Sequence, residues 1–227
     1  MLSKKLIYFV RHGETILNAK GIRQGQDGGL TEHGRAQALA TAKRFPQKKD
    51  NPQVIIASPY ERTRETAEII ATELKMPVEY CDLLVERRNP TEIIGHAGTE
   101  PETKHIVDLM DKSFHEDNFR YSDEENFTDM KERSRKLVEY IKTRKEERII
   151  MVTHSIFLKL FISYLLLGEK LTASTYNTLS YLNPIENGGI TICAYKKQTR
   201  FLRKPLEQWD LIVWNDLIQT ENPKEFF

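Results

Sequence analysis

The chain has 227 residues, 39% apolar and 30% charged, the balance of an ordinary globular protein with enough length for one substantial domain. With 34 Lys and Arg against 33 Asp and Glu, the formal net charge is +1, without the basic excess of a dedicated nucleic-acid binder. Cys81 and Cys193 form no CxxC pair, which argues against a disulfide framework or a thiolate zinc site and makes a reducing, cytoplasmic compartment the default.

The first apolar run, Leu6 to Val10, is ended by Arg11; it is too short for a secretory h-region and reads as a buried strand. Leu30-Thr31-Glu32 opens a helix, with Thr31 as N-cap and Glu32 in its first turn. Val54 to Ala57 is a second strand. After it, Ser58-Pro59-Tyr60-Glu61 predicts a helix with Ser58 as N-cap, Pro59 at the first helical position and Glu61 completing a capping box. Its apolar stripe is Thr63, Ala67, Ile70 and Leu74. Residues 95–125 are polar and read as a partly helical insertion over the sheet. Its histidines, His96, His105 and His115, share no helical face and are expected to be surface groups rather than metal ligands. A helix is predicted from about Phe127 to Arg144, with Phe127, Met130, Leu137, Val138 and Ile141 on one face.

Ile149 to Val152 is the third continuous apolar run. The segment Ile156 to Leu167 contains Lys159 and Ser163 and stops at Gly168; it falls short of the ~20 residues of a membrane span and reads as a core helix. A last strand is expected at Ile190 to Tyr195, after Gly188-Gly189. Continuous rather than alternating apolar strands interspersed with helices indicate an α/β fold, three-layered α/β/α, with a mostly parallel sheet. No repeat or linker divides the chain. It is read as one domain, 1–227, with the insertion at about 95–125 and a C-terminal extension at about 196–227.

Three strands end in chemically similar residues. Arg11-His12-Gly13-Glu14 follows Val10, Ser58 to Arg62 follows Ala57, and Thr153-His154-Ser155 follows Val152. In a parallel sheet all carboxyl ends share one edge, where ligands bind. Two imidazoles and two guanidiniums gathered there describe a site for a dianion such as a phosphate, which Arg grips bidentately and helix N-termini favour. A histidine among arginines is pushed towards its neutral form, the form a nucleophilic imidazole needs.

Arg11-His12-Gly13-Glu14-Thr15, with Asn18, resembles the signature of the histidine phosphatase superfamily, the phosphoglycerate mutase-like proteins. Further segments match in order: Gln24-Gly25, Leu30-Thr31-Glu32-His33-Gly34, Ser58-Pro59-Tyr60-Glu61-Arg62-Thr63, Leu84-Val85-Glu86, and His154 after its strand. The resemblance runs from about residue 5 to residue 195. It implies that His12 becomes a phosphohistidine, that Arg11, Arg62 and His154 hold the phosphoryl oxygens, and that Glu86 is the proton donor and then activates water. It also implies that Asn18, Gln24, Gly25 and Ser155 contact the substrate, with no metal or other cofactor. Glu92 is the alternative donor, with Glu86 then pairing Arg87 or Arg88. The chain departs from the family pattern in having Ser155 where glycine usually follows the second histidine. The loop Gln24 to Leu30 is also one residue shorter than usual.

The expected function is phosphomonoester hydrolysis of a small phosphorylated substrate, with no nucleic-acid or membrane partner. One alternative is phosphoglycerate mutase-type phosphotransfer. The insertion lacks the adjacent arginines and proline-rich stretch of the mutases, although Glu86-Arg87-Arg88 resembles their segment after the donor. The other alternative is a non-catalytic phospho-ligand-binding or scaffold protein. Lys104, Lys112 and Arg120 could hold a second anionic group or be solvated surface charge. The tail carries Trp209, Trp214, Phe226 and Phe227 among Lys196, Lys197, Arg200, Arg203 and Lys204. It is read as an element packing back on the domain or as a homodimer contact, rather than as a nucleic-acid surface.

Overall fold

All four strands expected from the sequence lie in one six-stranded sheet. The computed structural model describes residues 2–45, 51–113, 116–182, 185–200 and 203–217. His115, Phe226 and Phe227, and the side chains of Lys112, Arg200, Arg203 and Lys204, lie outside the described residues. The strands are β1 (Leu2–Arg11), β2 (Val54–Ala57), β3 (Val78–Tyr80), β4 (Arg148–Thr153), β5 (Ile190–Arg200) and β6 (Arg203–Asp216), in spatial order β3-β2-β4-β1-β5-β6. β1 to β4 pair in parallel, and the β5–β6 hairpin adds the antiparallel edge.

The apolar runs are continuous because both faces of the sheet are covered. On one face Ile7, Phe9, Ile56, Ile149 and Met151 pack with Leu137 and Ile141 of α5 (Phe127–Thr143) and Phe157 and Phe161 of α6 (Ser155–Leu167). On the other, Val10, Ile55, Ala57, Ile150 and Val152 pack with Ala42 of α2 (Glu32–Ala42) and Ala67 and Ile70 of α3 (Glu61–Leu74). Successive residues of each strand feed opposite clusters, as the two-residue strand period requires. This is the expected α/β/α architecture.

Local signals set most helix ends. Thr31 Oγ1 accepts from the Gly34 N–H (2.9 Å) and caps α2. Asn126 and Asp129 form a reciprocal capping box on α5. Gly168, at φ 57°, ends α6. The start of α3 differs from expectation: the N-cap position is Tyr60, without a side-chain cap, and the helix begins at Glu61. Ser58 Oγ is engaged by His154, and the Glu61 carboxylate accepts from the Gly28 N–H (2.7 Å). The two groups that would have built a capping box bind other segments.

The insertion carries α4 (Pro101–Ser113), whose Ile106 and Met110 form a small cluster with Ile93. His96 is exposed and bonded to Glu100, and His105 is exposed. Lys104 pairs with Asp108 at the surface. α1 (Ile16–Ala19), β3 and α7 (Ala173–Leu182) complete the named elements. The tail packs back as β6, with Trp209 and Trp214 against the core. Lys196 and Lys197 are paired with Asp210 and Glu207 of β6. No helix among the described residues is long and apolar enough to cross a membrane.

Candidate active site

β4 lies between β1 and β2, so the carboxyl ends of three adjacent parallel strands meet on one edge. Arg11 is in register with Thr153, the His12 N–H donates to the Thr153 carbonyl (3.1 Å), and the Ser58 N–H donates to the Val152 carbonyl (3.0 Å). The backbone alone therefore sets His12, Ser58 and His154 side by side. The His12 and His154 ring centroids are 5.2 Å apart. Glycine is required beneath them, because a Cβ on Gly13 would lie 2.3 Å from the Gly34 carbonyl oxygen and one on Gly34 2.1 Å from that of Glu14.

Both histidines are buried, His12 to 4% exposure and His154 to 0%. Burial, then the positive charge of Arg62 and Arg11, pushes the His12 imidazole well below its usual pKa. Burial and Arg62 do the same to His154. Their hydrogen bonds assign the tautomers. His12 Nδ1 lies 2.7 Å from the Gly13 carbonyl, which can only accept, so the proton is on Nδ1 and the lone pair on Nε2. Arg62 Nε donates to His154 Nδ1 (3.2 Å), so His154 carries its proton on Nε2 and donates it to Ser58 Oγ (2.9 Å).

Arg62 is 2% exposed and also donates through Nη1 to the Gly25 carbonyl (2.9 Å). Arg11 donates through Nη1 to the Ile185 carbonyl (2.5 Å), while its Nε is buried without a partner among the described residues. A desolvated guanidinium N–H without an acceptor costs ~1–3 kcal/mol, which an anion lying against it would recover. The Glu86 carboxylate is half-buried at the start of α6. Its Oε1 accepts from the Phe157 (2.9 Å) and Arg87 (2.9 Å) N–H groups, and its Oε2 from that of Ile156 (3.2 Å). One buried and one half-buried guanidinium, two neutral imidazoles and one carboxylate thus converge on one edge of the sheet.

A model of the histidine phosphatase superfamily, branch 1, matches residues 7–206. The chain belongs to this family. It is 35% identical over 155 residues to an Arabidopsis thaliana protein named metal-independent phosphoserine phosphatase, covering 65% of this chain and 63% of that one. Over 83 residues it is 45% identical to an Escherichia fergusonii protein named "Probable phosphoglycerate mutase GpmB", covering 36% and 35%. The chain thus spans less than two thirds of either relative. Its fold is similar to that of a mycobacterial glucosyl-3-phosphoglycerate phosphatase, with TM-score 0.72, 24% identity, and coverage of 93% of this chain and 98% of that one. It is also similar to an Entamoeba histolytica phosphoserine phosphatase, with TM-score 0.67, 24% identity, and coverage of 93% and 96%.

In this member of the superfamily, a cavity of about 210 Å³ opens beside Arg62, with Gln24, Gly25, Glu86 and Arg87 in its wall. Gln24 Oε1 accepts from Thr15 Oγ1 (3.0 Å), which orients its amide. Asn18 sits on α1, its N–H held by Thr15 Oγ1 (2.9 Å) and its Oδ1 buried without a partner among the described residues. Ser155 is the half-buried first residue of α6, adjoining His154. A wider cavity of about 410 Å³ is lined by Tyr60, Glu86, Arg88, Arg120, Asp129 and Arg133. Arg120 pairs there with Asp129 (2.6 Å). Glu92 lies on the neighbouring 3-10 turn, is exposed and faces Tyr121; of the two candidate donors, Glu86 is the one in the cavity wall.

Sequence reasoning passed over several groups that build the site. Ser58 was assigned to a helix cap and instead holds His154. Thr66 Oγ1 accepts the Gly13 N–H (3.1 Å). Asn187 Nδ2 donates to the His12 carbonyl (2.8 Å) from the turn before β5. Tyr60 lies over Arg62 and 5.3 Å from the His154 ring. Only Ser58, at a strand end, carried a positional signal.

Proposed function

We propose that the chain is a phosphomonoester hydrolase acting through a phosphohistidine on His12. The observation that carries this reading is the neutral His12 ring, with its Nε2 lone pair available, set against the buried Arg62 and the half-buried Arg11. In the first half-reaction Nε2 attacks phosphorus, the P–N bond forms and the P–O ester bond breaks, and the leaving oxygen takes a proton from the Glu86 carboxyl. The phosphoimidazolium formed keeps its Nδ1–H, and the Gly13 carbonyl is placed to accept it. Arg11 and Arg62 hold the phosphoryl oxygens through N–H donors in place before the substrate arrives, and His154 joins them by turning its Nε2–H from Ser58 Oγ to a phosphoryl oxygen. In the second half-reaction Glu86 takes a proton from water, water oxygen bonds to phosphorus, and the P–N bond breaks to release phosphate. Asn18, Gln24, Gly25 and Ser155 line the approach.

Among substrates, phosphoserine and glycerate-derived phosphoesters come first, because similar proteins carry those names. The mutase alternative draws on the shorter match to a mutase-named protein. We keep a reducing, cytoplasmic compartment as the expectation from the wide sequence separation of Cys81 and Cys193, and β6, as an edge strand, is where a homodimer would form. The decisive experiment is hydrolysis of p-nitrophenyl phosphate in EDTA by wild type and His12→Ala, with capture of acid-labile ³²P on the protein. Turnover and phosphoenzyme that both vanish in the variant support the reading, and substantial residual turnover overturns the nucleophile. Incubation with 3-phosphoglycerate and bisphosphoglycerate separates the mutase.

A further inference from the structure

We infer that Arg133 is the positioning residue for Glu86, fixing the carboxyl group from both ends of that residue. The inference rests on the proposed acid–base role of Glu86. Arg133 projects from α5, and its guanidinium is divided between a carboxylate and two backbone carbonyls. Nε and Nη2 donate to the two oxygens of Glu125 (2.8 and 2.5 Å), while Nη1 donates to the Val85 carbonyl (2.6 Å) and the Leu83 carbonyl (3.3 Å). Val85 carries the peptide bond that enters Glu86. The same guanidinium lies 4.0 Å above the Phe157 ring, and the Phe157 N–H donates to Glu86 Oε1.

The clamp closes on the far side as well. The Glu125 N–H donates to the Arg88 carbonyl (3.0 Å), two residues beyond Glu86. Glu86 therefore sits inside a ring of contacts running from Val85 through Arg133 and Glu125 to Arg88. Arg133 and Glu125 side chains are 11% and 14% exposed, so the pair is shielded from water and salt. A planar five-donor fork is needed to bond a carboxylate bidentately, reach two carbonyls and stack on a ring at once. A lysine keeps the charge and cannot do all three. Since Glu125 ends the insertion, the clamp also ties the insertion to the proton donor.

The test compares kcat/KM for phenyl phosphate and 2,4-dinitrophenyl phosphate in wild type, Arg133→Lys, Glu86→Gln and the double variant. Phenolate needs a proton as it leaves and dinitrophenolate does not, so the acid acts on the first ester alone. General-acid assistance is worth about 10²–10⁴-fold, so a displaced carboxyl should cost Arg133→Lys about tenfold or more on phenyl phosphate and little on the dinitrophenyl ester. The double variant should be no slower on phenyl phosphate than Glu86→Gln. An equal loss on both esters, or a loss that multiplies with that of Glu86→Gln, would show a general structural role and overturn the inference. If Arg133→Lys does not fold, Glu125→Gln carries the same test, because it weakens the clamp without removing the arginine. If Glu86→Gln itself shows no difference between the esters, the acid–base reading falls, and the positioning role with it.

Discussion

The neutral histidines make the fold acid-sensitive in a way that can be isolated. In the folded chain His12 and His154 resist protonation, because burial and the neighbouring arginines hold both well below the usual imidazole range. The unfolded chain takes up those protons once pH falls below ~6.5. Stability from this source is therefore complete above that pH and declines below it, until the folded-state pKa values are reached. The slope is about 1.4 kcal/mol per pH unit for each histidine. One unit below the unfolded pKa, the pair together removes up to ~3 kcal/mol, a sizeable part of a typical folding free energy of ~5–15 kcal/mol. Urea unfolding at intervals from pH 5 to 7.5 measures it. His154→Asn, whose amide oxygen can still accept from Arg62, should flatten the slope by about 1.4 kcal/mol per unit whatever it does to absolute stability. Identical slopes in wild type and variant would mean that His154 protonates in the folded state, and the tautomer assignment would fall with it.

Glu86→Gln should lower kcat/KM for phenyl phosphate by about 10²–10⁴-fold while leaving inorganic phosphate binding nearly intact; Glu92→Gln should change neither, and the reverse pattern would move the donor to Glu92. Gly34→Ala places a methyl where only 2.1 Å separates it from the Glu14 carbonyl oxygen; the backbone must give, at a cost of about 1–3 kcal/mol, and turnover should fall because the displaced turn carries His12. Calorimetry and steady-state assays on the purified variant would reveal this, and an unshifted Tm would show that the turn can move freely.

Much of the layout was legible in the sequence because the sheet is covered on both faces. Leu6 to Val10, Val54 to Ala57 and Ile149 to Val152 had to be apolar at every position and stood out for that reason. α2 was announced by Thr31, a polar cap that bonds as expected, and α5 by its apolar face, while its Asn126–Asp129 capping box was not anticipated. β3 is a three-residue edge strand with largely exposed side chains; β6 is held partly by ion pairs with β5, and its short apolar run, Leu211 to Trp214, is half exposed at the sheet edge. Ser58 misled because its local pattern fitted a capping box while a residue distant in sequence claimed its hydroxyl. Arg11, His12, Arg62 and His154 were found because strand ends mark them. Asn187, Thr66 and Arg133 act through contacts between segments far apart in the chain, and nothing in their immediate neighbours records that.

The interleaving of β4 between β1 and β2 bears on how the molecule is made. β1 and β2 share no hydrogen bonds with one another; each pairs with β4, and β1 also with β5. During synthesis the first half of the chain, with Arg11, His12 and Arg62 already present, has no template on which to align them. The pairings that do so join residues separated by most of a domain's length, the kind of non-local contact that slows folding. An emerging chain thus lacks the assembled site until residues beyond His154 have left the ribosome. Recovery of phosphate binding after denaturation would report closure of the whole sheet rather than of any one part.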